Sequence, residues 1–458
     1  MEHQGKANAS SAQLSAKHRP TLLSQTIQTF SSMFGVLAIN VISSIILSRG
    51  LSPDDRGLYL GITMWSGFIL GLCDIGIYVT TVYLWGKNTE AQRKDIFATL
   101  AVWSIFTGLV AVIIALCISG WVVKGRFDDQ GMFAVKLFLV SSFGGPLSSM
   151  ISGVLAAEQR FSTVNLVRIG VPAAYTLILF IFFIADVLSV TICLITTTII
   201  SLLGLLPYLW EAWPYCKSMG RFRLSILRQG VWYGIKGYGG IVINVFGNNG
   251  TQLFLFSLAP SALAFFQTAN SATGVLWAIP RAIGITSFPS MVSEEENLHK
   301  KVCQYLRLTT LVTTFSAISL GLAVPFLIPL LFGKAYTPAI IPALLLLPGA
   351  LFGGISDILG GAISSTGRTL HNTVTSAVYV GTTLGSMALS INAWGMNGAA
   401  FSIVAGFFAG FMVRFIWYHF TVRYINPTDL LPRVSDVQEV FRIALGVFKK
   451  LSRRRVNV

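Results

Sequence analysis

The sequence predicts an all-α polytopic membrane protein: about twelve transmembrane helices in two six-helix parallel-repeat lobes around a central cavity, with the N-terminus and C-terminus both cytoplasmic. Three observations carry this. Only 11% of the 458 residues are charged and the mean hydropathy is +0.70, where a soluble domain carries about 25% charge. Four long stretches, Thr21–Ser48, Ile96–Val123, Gly237–Pro280 and Thr369–Val413, contain no Asp, Glu, Lys or Arg, and about 20 apolar residues span a bilayer as a helix. Short segments recur at an offset of 207 or 208 residues. A transmembrane β-barrel would alternate in polarity with period two, and these stretches do not.

The elements follow in order. Residues 1–25 form a polar cytoplasmic tail. The apolar run behind it is far longer than the roughly 7–15 residues of a signal-peptide core, so the first helix is expected to remain as an anchor. Residues 26–211 form the first lobe, with spans near 26–48, 58–85, 96–120, 132–157, 165–185 and 187–211. Residues 212–230 read as a basic cytoplasmic linker. Residues 231–422 form the second lobe, with spans near 231–257, 262–290, 304–330, 338–364, 372–393 and 397–420.

Residues 423–458 form a basic tail. Ser435-Asp436-Val437-Gln438 fits a capping box, and Val437, Val440, Phe441, Ala444, Val447, Phe448 and Leu451 follow helical spacing. An interfacial amphipathic helix is expected there, with an unstructured basic tail as the alternative.

Charge orients the chain. The net charge of +15 would suggest nucleic acid on a soluble protein, but here the basic residues lie in short loops and tails. No nucleic-acid partner is expected. Lys87, Arg93, Lys94, Arg160, Arg221, Arg223, Arg228, Lys300, Lys301, Arg307 and Arg368 fall on one side; only Arg49, Arg56, Lys124, Arg126 and Lys334 fall on the other. Loops rich in Lys and Arg stay in the cytoplasm.

The repeat is visible at two places. Leu51–Ile62 (LSPDDRGLYLGI) lies over Leu258–Ala269 (LAPSALAFFQTA), which aligns Pro53 with Pro260. Ala156–Asn165 lies over Ser364–Thr373, which aligns Arg160 with Arg368. An even number of spans per repeat makes the halves parallel about an axis along the membrane normal, a geometry that allows rocking around a central cavity. Asp54, Asp55 and Arg56 have no charged counterparts in the second copy and read as solvated loop.

Within the spans stand Asp74, Lys136, Arg168, Lys236, Arg281, Asp357 and Arg414. A charge at bilayer depth costs a few kcal/mol and is normally aimed at a cavity or a partner. Cations outnumber acids, so the cavity should favour an anion, and arginine offers a planar fork suited to phosphate oxygens. Arg281, Lys236 and Arg49 are the candidate anion-binding residues. Asp74 and Asp357 are candidates for a coupling ion or a cavity ion pair. Asp74 and Arg281 occupy nearly equivalent places in the two halves and are expected to face each other or one cavity. Lys136, Arg168 and Arg414 are expected to snorkel to an interface. Pro280 and Pro289 predict a broken helix around Arg281. Pro348 and the pairs Gly353-Gly354 and Gly360-Gly361 predict a deformable helix around Asp357.

The sequence holds no His-Glu-x-x-His, Gly-x-Ser-x-Gly or Walker loop, and its five cysteines are scattered. No cofactor, metal site or catalytic residue is expected.

The stretch NVISSIILSRGLSPDDRGLYLGITMWSGFILGLCDIGIY resembles the bacterial polysaccharide-transport and O-antigen flippase family of the multidrug, oligosaccharidyl-lipid and polysaccharide (MOP) exporter superfamily. LAPSALAFFQTANSATGVLWAIP and FGKAYTPAIIPALLLLPGALF echo it further on. The resemblance implies two lobes around a cationic cavity. It implies a multi-pass protein of the bacterial inner membrane that moves a saccharide on an undecaprenyl-diphosphate-type lipid outward, with proton or sodium coupling as an option. The rivals are a multidrug or metabolite antiporter on the same fold and a polytopic glycan polymerase or ligase. Drug exporters of the superfamily tend toward acidic cavities, and polymerases need a sizeable outer loop; this chain shows neither. A scaffold would leave the buried charges unexplained.

Overall fold

The computed structural model describes residues 22–123, 125, 127–293, 298–366, 370–430 and 432–433. The expected amphipathic helix in the C-terminal tail, Arg368, and most of the N-terminal tail lie outside them. The described residues are helical, and eight helices are long and apolar enough to cross a membrane.

In the first half, α1 (Leu22–Gly50) is followed by α2 (Pro53–Cys73), α3 (Ile77–Lys87), α4 (Glu90–Val123), α5 (Asp129–Ser141), α6 (Gly144–Ala157), α7 (Phe161–Ile184) and α8 (Val190–Lys217). The second half holds α9 (Leu224–Leu258), α10 (Pro260–Thr273), a 3₁₀ turn at Gly274–Trp277, and α11 (Ala278–Ser293). Then come α12 (Leu298–Phe332), a 3₁₀ segment Lys334–Ala339, α13 (Ile340–Ser365) and α14 (Leu370–Thr421). Gly395, at φ 53° and ψ −129°, breaks α14 into two helices, a conformation glycine adopts at no steric cost. Across this break the Ser390 hydroxyl donates to the Gly398 carbonyl at 3.1 Å.

Within residues 212–230, α8 runs to Lys217 and α9 starts at Leu224. The short segment between them is fastened to the start of α4. The Arg221 N–H donates to Asp95 Oδ1 at 2.8 Å, and the Arg223 guanidinium pairs with Asp95 at 2.6 Å. One sequence expectation needs correction: the charged corner after α1 is not a loop. Ser52 caps α2 by accepting the Asp55 N–H at 3.1 Å, and Pro53 is the first helical residue rather than the turn. Proline suits that position because its missing N–H would have no partner there anyway.

The packing is lopsided. One apolar core joins the halves near the ends of α1 and α12, with Leu58, Tyr59 and Ile62 of α2 in the same cluster as Phe256, Leu263, Phe266, Phe332 and Tyr336. Far from it each half has its own core. Ile77, Trp85, Phe97, Met150 and Leu155 form one; Val302, Leu306, Ile358, Ile363 and Tyr418 form the other. The halves are therefore welded by one shared core at one end and keep distinct cores at the other, where the start of α9 crosses over: Tyr233 stacks on Tyr83 with ring centres 3.9 Å apart. The weld is tight. A Cβ on Gly57 would run into the backbone of Pro260, and one on Gly61 into the ring of Phe256.

A polar cluster sets the start of α7. Arg160 precedes its first residue and pairs with Glu211 of α8 and, at 3.7 Å, with Glu158. Glu158 also accepts from Trp85 Nε1 at 3.2 Å and from the Tyr215 hydroxyl at 2.7 Å. Partial burial pulls the Arg160 guanidinium down, but Glu211, Tyr215 and Glu158 outweigh it and hold its pKa above the ordinary value. The start of α7 is thereby fixed about two turns before Arg168.

Candidate anion-binding cavity

Between the separating halves lies a cavity of about 390 Å³. Phe34, Leu37 and Asn40 of α1 and Arg168 of α7 line it from the first half; Trp277, Ala278 and Arg281 line it from the second. Both guanidiniums are exposed to it, and among the described residues neither makes a hydrogen bond or an ion pair. No carboxylate lines it. Two uncommitted cations with an asparagine between apolar walls suit an anion whose remainder is apolar.

Local sequence explains how Arg281 reaches the cavity. The helix is interrupted, but before Pro280 rather than at it. The 3₁₀ turn Gly274–Trp277 comes first, and Pro280 sits in the opening turn of α11, where proline is tolerated. Trp277 and Pro280 dock on α13. A Cβ on Gly353 would meet the indole of Trp277, and one on Gly354 would meet Pro280. The glycine pair that suggested a deformable helix is a close-approach surface, and α13 is continuous through Pro348.

A second cavity of about 420 Å³ adjoins the first through Arg281, which lines both. Its other walls include Asp357, Ser364, Asn372 and Arg414. Arg414 does not snorkel outward. Its Nη1 donates to Asp357 at 3.1 Å and to the Ser356 carbonyl at 2.8 Å, and its Nη2 donates to Asn372 Oδ1 at 3.2 Å. Gly360 lets the guanidinium lie flat on α13, for a Cβ there would meet its carbon.

The remaining candidates divide. Lys236 lies on α9, and its side chain is outside the described residues. Arg49 lines neither cavity; it donates to the carbonyls of Leu330 and Leu331 at the end of α12, the Leu331 bond measuring 2.9 Å. It caps a helix C-terminus, where cations are favoured, and it ties the two halves at their welded end. Asp74 lines neither cavity, and no ion pair joins it to Arg281. It closes α2 where the chain kinks through Ile75 (φ 45°) and Gly76 (φ 67°), and its Oδ1 is buried with no hydrogen-bond partner.

Arg56 overturns the expectation of a solvated loop. It is 1% exposed, buried between the halves. It donates to Thr268 of α10 and, at 2.7 Å, to Ser44 of α1, and it lies 5.2 Å from the centre of the Tyr336 ring. The sequence does carry a signal: Arg56 directly precedes Gly57, whose counterpart region in the repeat is the place where the halves touch. Arg168 likewise departs from expectation, facing the cavity rather than an interface, because nothing in its neighbours tells which face of α7 meets the other half.

The geometry can be set beside known proteins. No curated protein matches the chain. Among solved structures, "Lipid II flippase MurJ, inward closed conformation" superposes with a TM-score of 0.72 at 12% identity, covering 91% of this chain and 92% of that one. An inward-facing multidrug resistance MATE family transporter of the MOP superfamily gives 0.65 at 13%, covering 84% and 93%. A point mutant of the Vibrio cholerae MATE transporter VcmN gives 0.59 at 13%, covering 88% and 97%. These likenesses show that the chain shares the fold of these transporters. The model of the family described as "Polysaccharide biosynthesis protein" matches residues 46–341, more than half of the chain, including Arg168 and Arg281 but not the α1 wall of the cavity. The chain belongs to the polysaccharide biosynthesis protein family.

Proposed function

We propose that this protein carries a saccharide linked to a polyprenyl diphosphate from the inner to the outer leaflet of the bacterial cytoplasmic membrane. It does so by transport rather than by catalysis. The observation that carries the reading is the pair of unpaired guanidiniums, Arg168 and Arg281, facing one acid-free cavity between two separable halves. A diphosphate would bridge them, and the lipid tail would lie along the apolar gap. In this reading the chain spans the membrane twelve times as two parallel repeats, with both termini in the cytoplasm. The two α14 segments on either side of Gly395 count as two spans. The cavity then faces inward while the weld is shut.

The family assignment supports a saccharide cargo, and the resemblance in fold to a protein described as a lipid II flippase supports a lipid-linked one. An acid-free cavity disfavours the cationic drugs of the antiporter alternative. The membrane potential can contribute to the drive: one charge moved through 100 mV is worth about 2.3 kcal/mol, so a diphosphate of about two negative charges gains about twice that on leaving. Asp74 and Asp357 remain the candidates for ion coupling.

The test uses vesicles containing the purified protein and a polyprenyl-diphosphate-linked saccharide, with a lectin or hydrolase outside to detect lipid that has crossed. Protein-dependent crossing, strongly reduced by Arg281→Gln, is expected. Crossing no faster than in empty vesicles would sink the reading.

A further inference from the structure

Arg56 has no role in the cavity, yet its chemistry is unusual. It is a fully buried guanidinium held only by neutral partners: Thr268, Ser44 and the face of Tyr336. No carboxylate pairs with it among the described residues, and its Nε is buried without a hydrogen-bond partner. Burying an unpaired charge is costly, and an apolar side chain of similar size would pack such a seam more cheaply. Stability therefore does not account for an arginine here.

Its position suggests what does. Asn40, on the cavity wall, is one helical turn from Ser44, which accepts from Arg56 and donates to Ser271 at 3.0 Å. On the facing element, Thr268, Ser271, Gly274, Ala278 and Arg281 follow at steps of three or four residues. A line of small and hydroxyl-bearing residues thus leads from the Arg168–Arg281 cavity to Arg56. The track ends beside Gly57, whose contact with the Pro260 backbone closes the weld.

We propose that Arg56 is a second anion site, screened while the weld is shut and engaged by a phosphate or diphosphate group as α2 and α10 part. Phosphate oxygens form stronger, bidentate bonds to the guanidinium than two hydroxyls do, so an anion arriving along the track displaces Thr268 and Ser44 and holds the seam open. The inference rests on the reading above for the identity of the cargo, not for the existence of the site.

The test separates the two. Ala264, fully buried on α10 at the weld, is replaced by cysteine, and its labelling by a small thiol reagent is followed in the purified protein, with the unsubstituted protein as background. Inorganic pyrophosphate is expected to speed labelling several-fold in Ala264→Cys. It is expected to have no effect in Ala264→Cys/Arg56→Gln and an intermediate effect with Arg56→Lys. No response to pyrophosphate in the protein that retains Arg56 overturns the proposal, and so does an undiminished response in Arg56→Gln. A response that depends on Arg56 in a protein that carries no lipid-linked saccharide keeps the site and removes the cargo.

Discussion

Gly57 of α2 meets Pro260, the repeat counterpart of Pro53, across the two halves: the backbone of Pro260 fills the volume that a side chain on Gly57 would need. The contact leaves no slack. Gly57→Ala is expected to force α2 off α10 and lower stability by about 1–3 kcal/mol, the usual cost of overpacking. It should also raise the thiol reactivity of Ala264→Cys without any ligand. Thermal unfolding and labelling rates measure the two effects, and unchanged values for both would show that the weld relaxes freely.

Arg168 and Arg281 face one cavity from opposite halves. Each change to glutamine is expected to weaken diphosphate-lipid binding by about tenfold or more, the scale of one charge-assisted hydrogen bond. If one anion bridges them, the double variant should lose less than the sum of the single losses. Strict additivity in a binding titration would place them on separate ligands.

Arg414 and Gly360 should behave as one unit. Gly360→Ala pushes into the guanidinium, so it is expected to destabilise about as much as Arg414→Ala, with little further loss in the double variant. Asp357→Asn should cost less than about 1 kcal/mol, because the Asp357 side chain is 62% exposed and water screens the pair. Chemical denaturation orders the three.

Asp74 carries a buried oxygen with no partner. Asp74→Asn is expected to raise the melting temperature, since it removes an uncompensated desolvated charge. If Asp74 also takes the coupling ion, the same variant loses any dependence of transport on a proton or sodium gradient. A lower melting temperature would mean that the carboxylate is stabilised in the fold.

Asp95 holds the connection between the halves. Asp95→Ala is expected to speed proteolysis between residues 218 and 223 while changing global stability by no more than about 1 kcal/mol, because the Arg223 side chain is 61% exposed. Cleavage mapping reads this directly.

Helical class was legible because hydrocarbon content acts over whole segments. Pairwise geometry was not. Arg56 and Asp54 look alike in sequence, yet one is sealed between halves and the other lies at an exposed helix start. Arg168 and Arg414 both sit one-sidedly on apolar helices, but which side meets a neighbour is decided by packing far along the chain. Glycine pairs misled for the same reason. Gly353 and Gly354 accommodate Trp277 and Pro280, and nothing local distinguishes a glycine kept for room from one kept for bending.

The single core at one end and the paired cores at the other bear on resting populations. Each distinct core can travel intact, the start of α9 moving with the first half on which it packs. Parting the weld exposes Leu58, Ile62, Phe256 and Phe266 together. If that costs about 3 kcal/mol net, the open-seam form is below about 1% of the molecules. An empty protein of this design waits almost entirely in one state, and leakage through it is suppressed by the scarcity of the other.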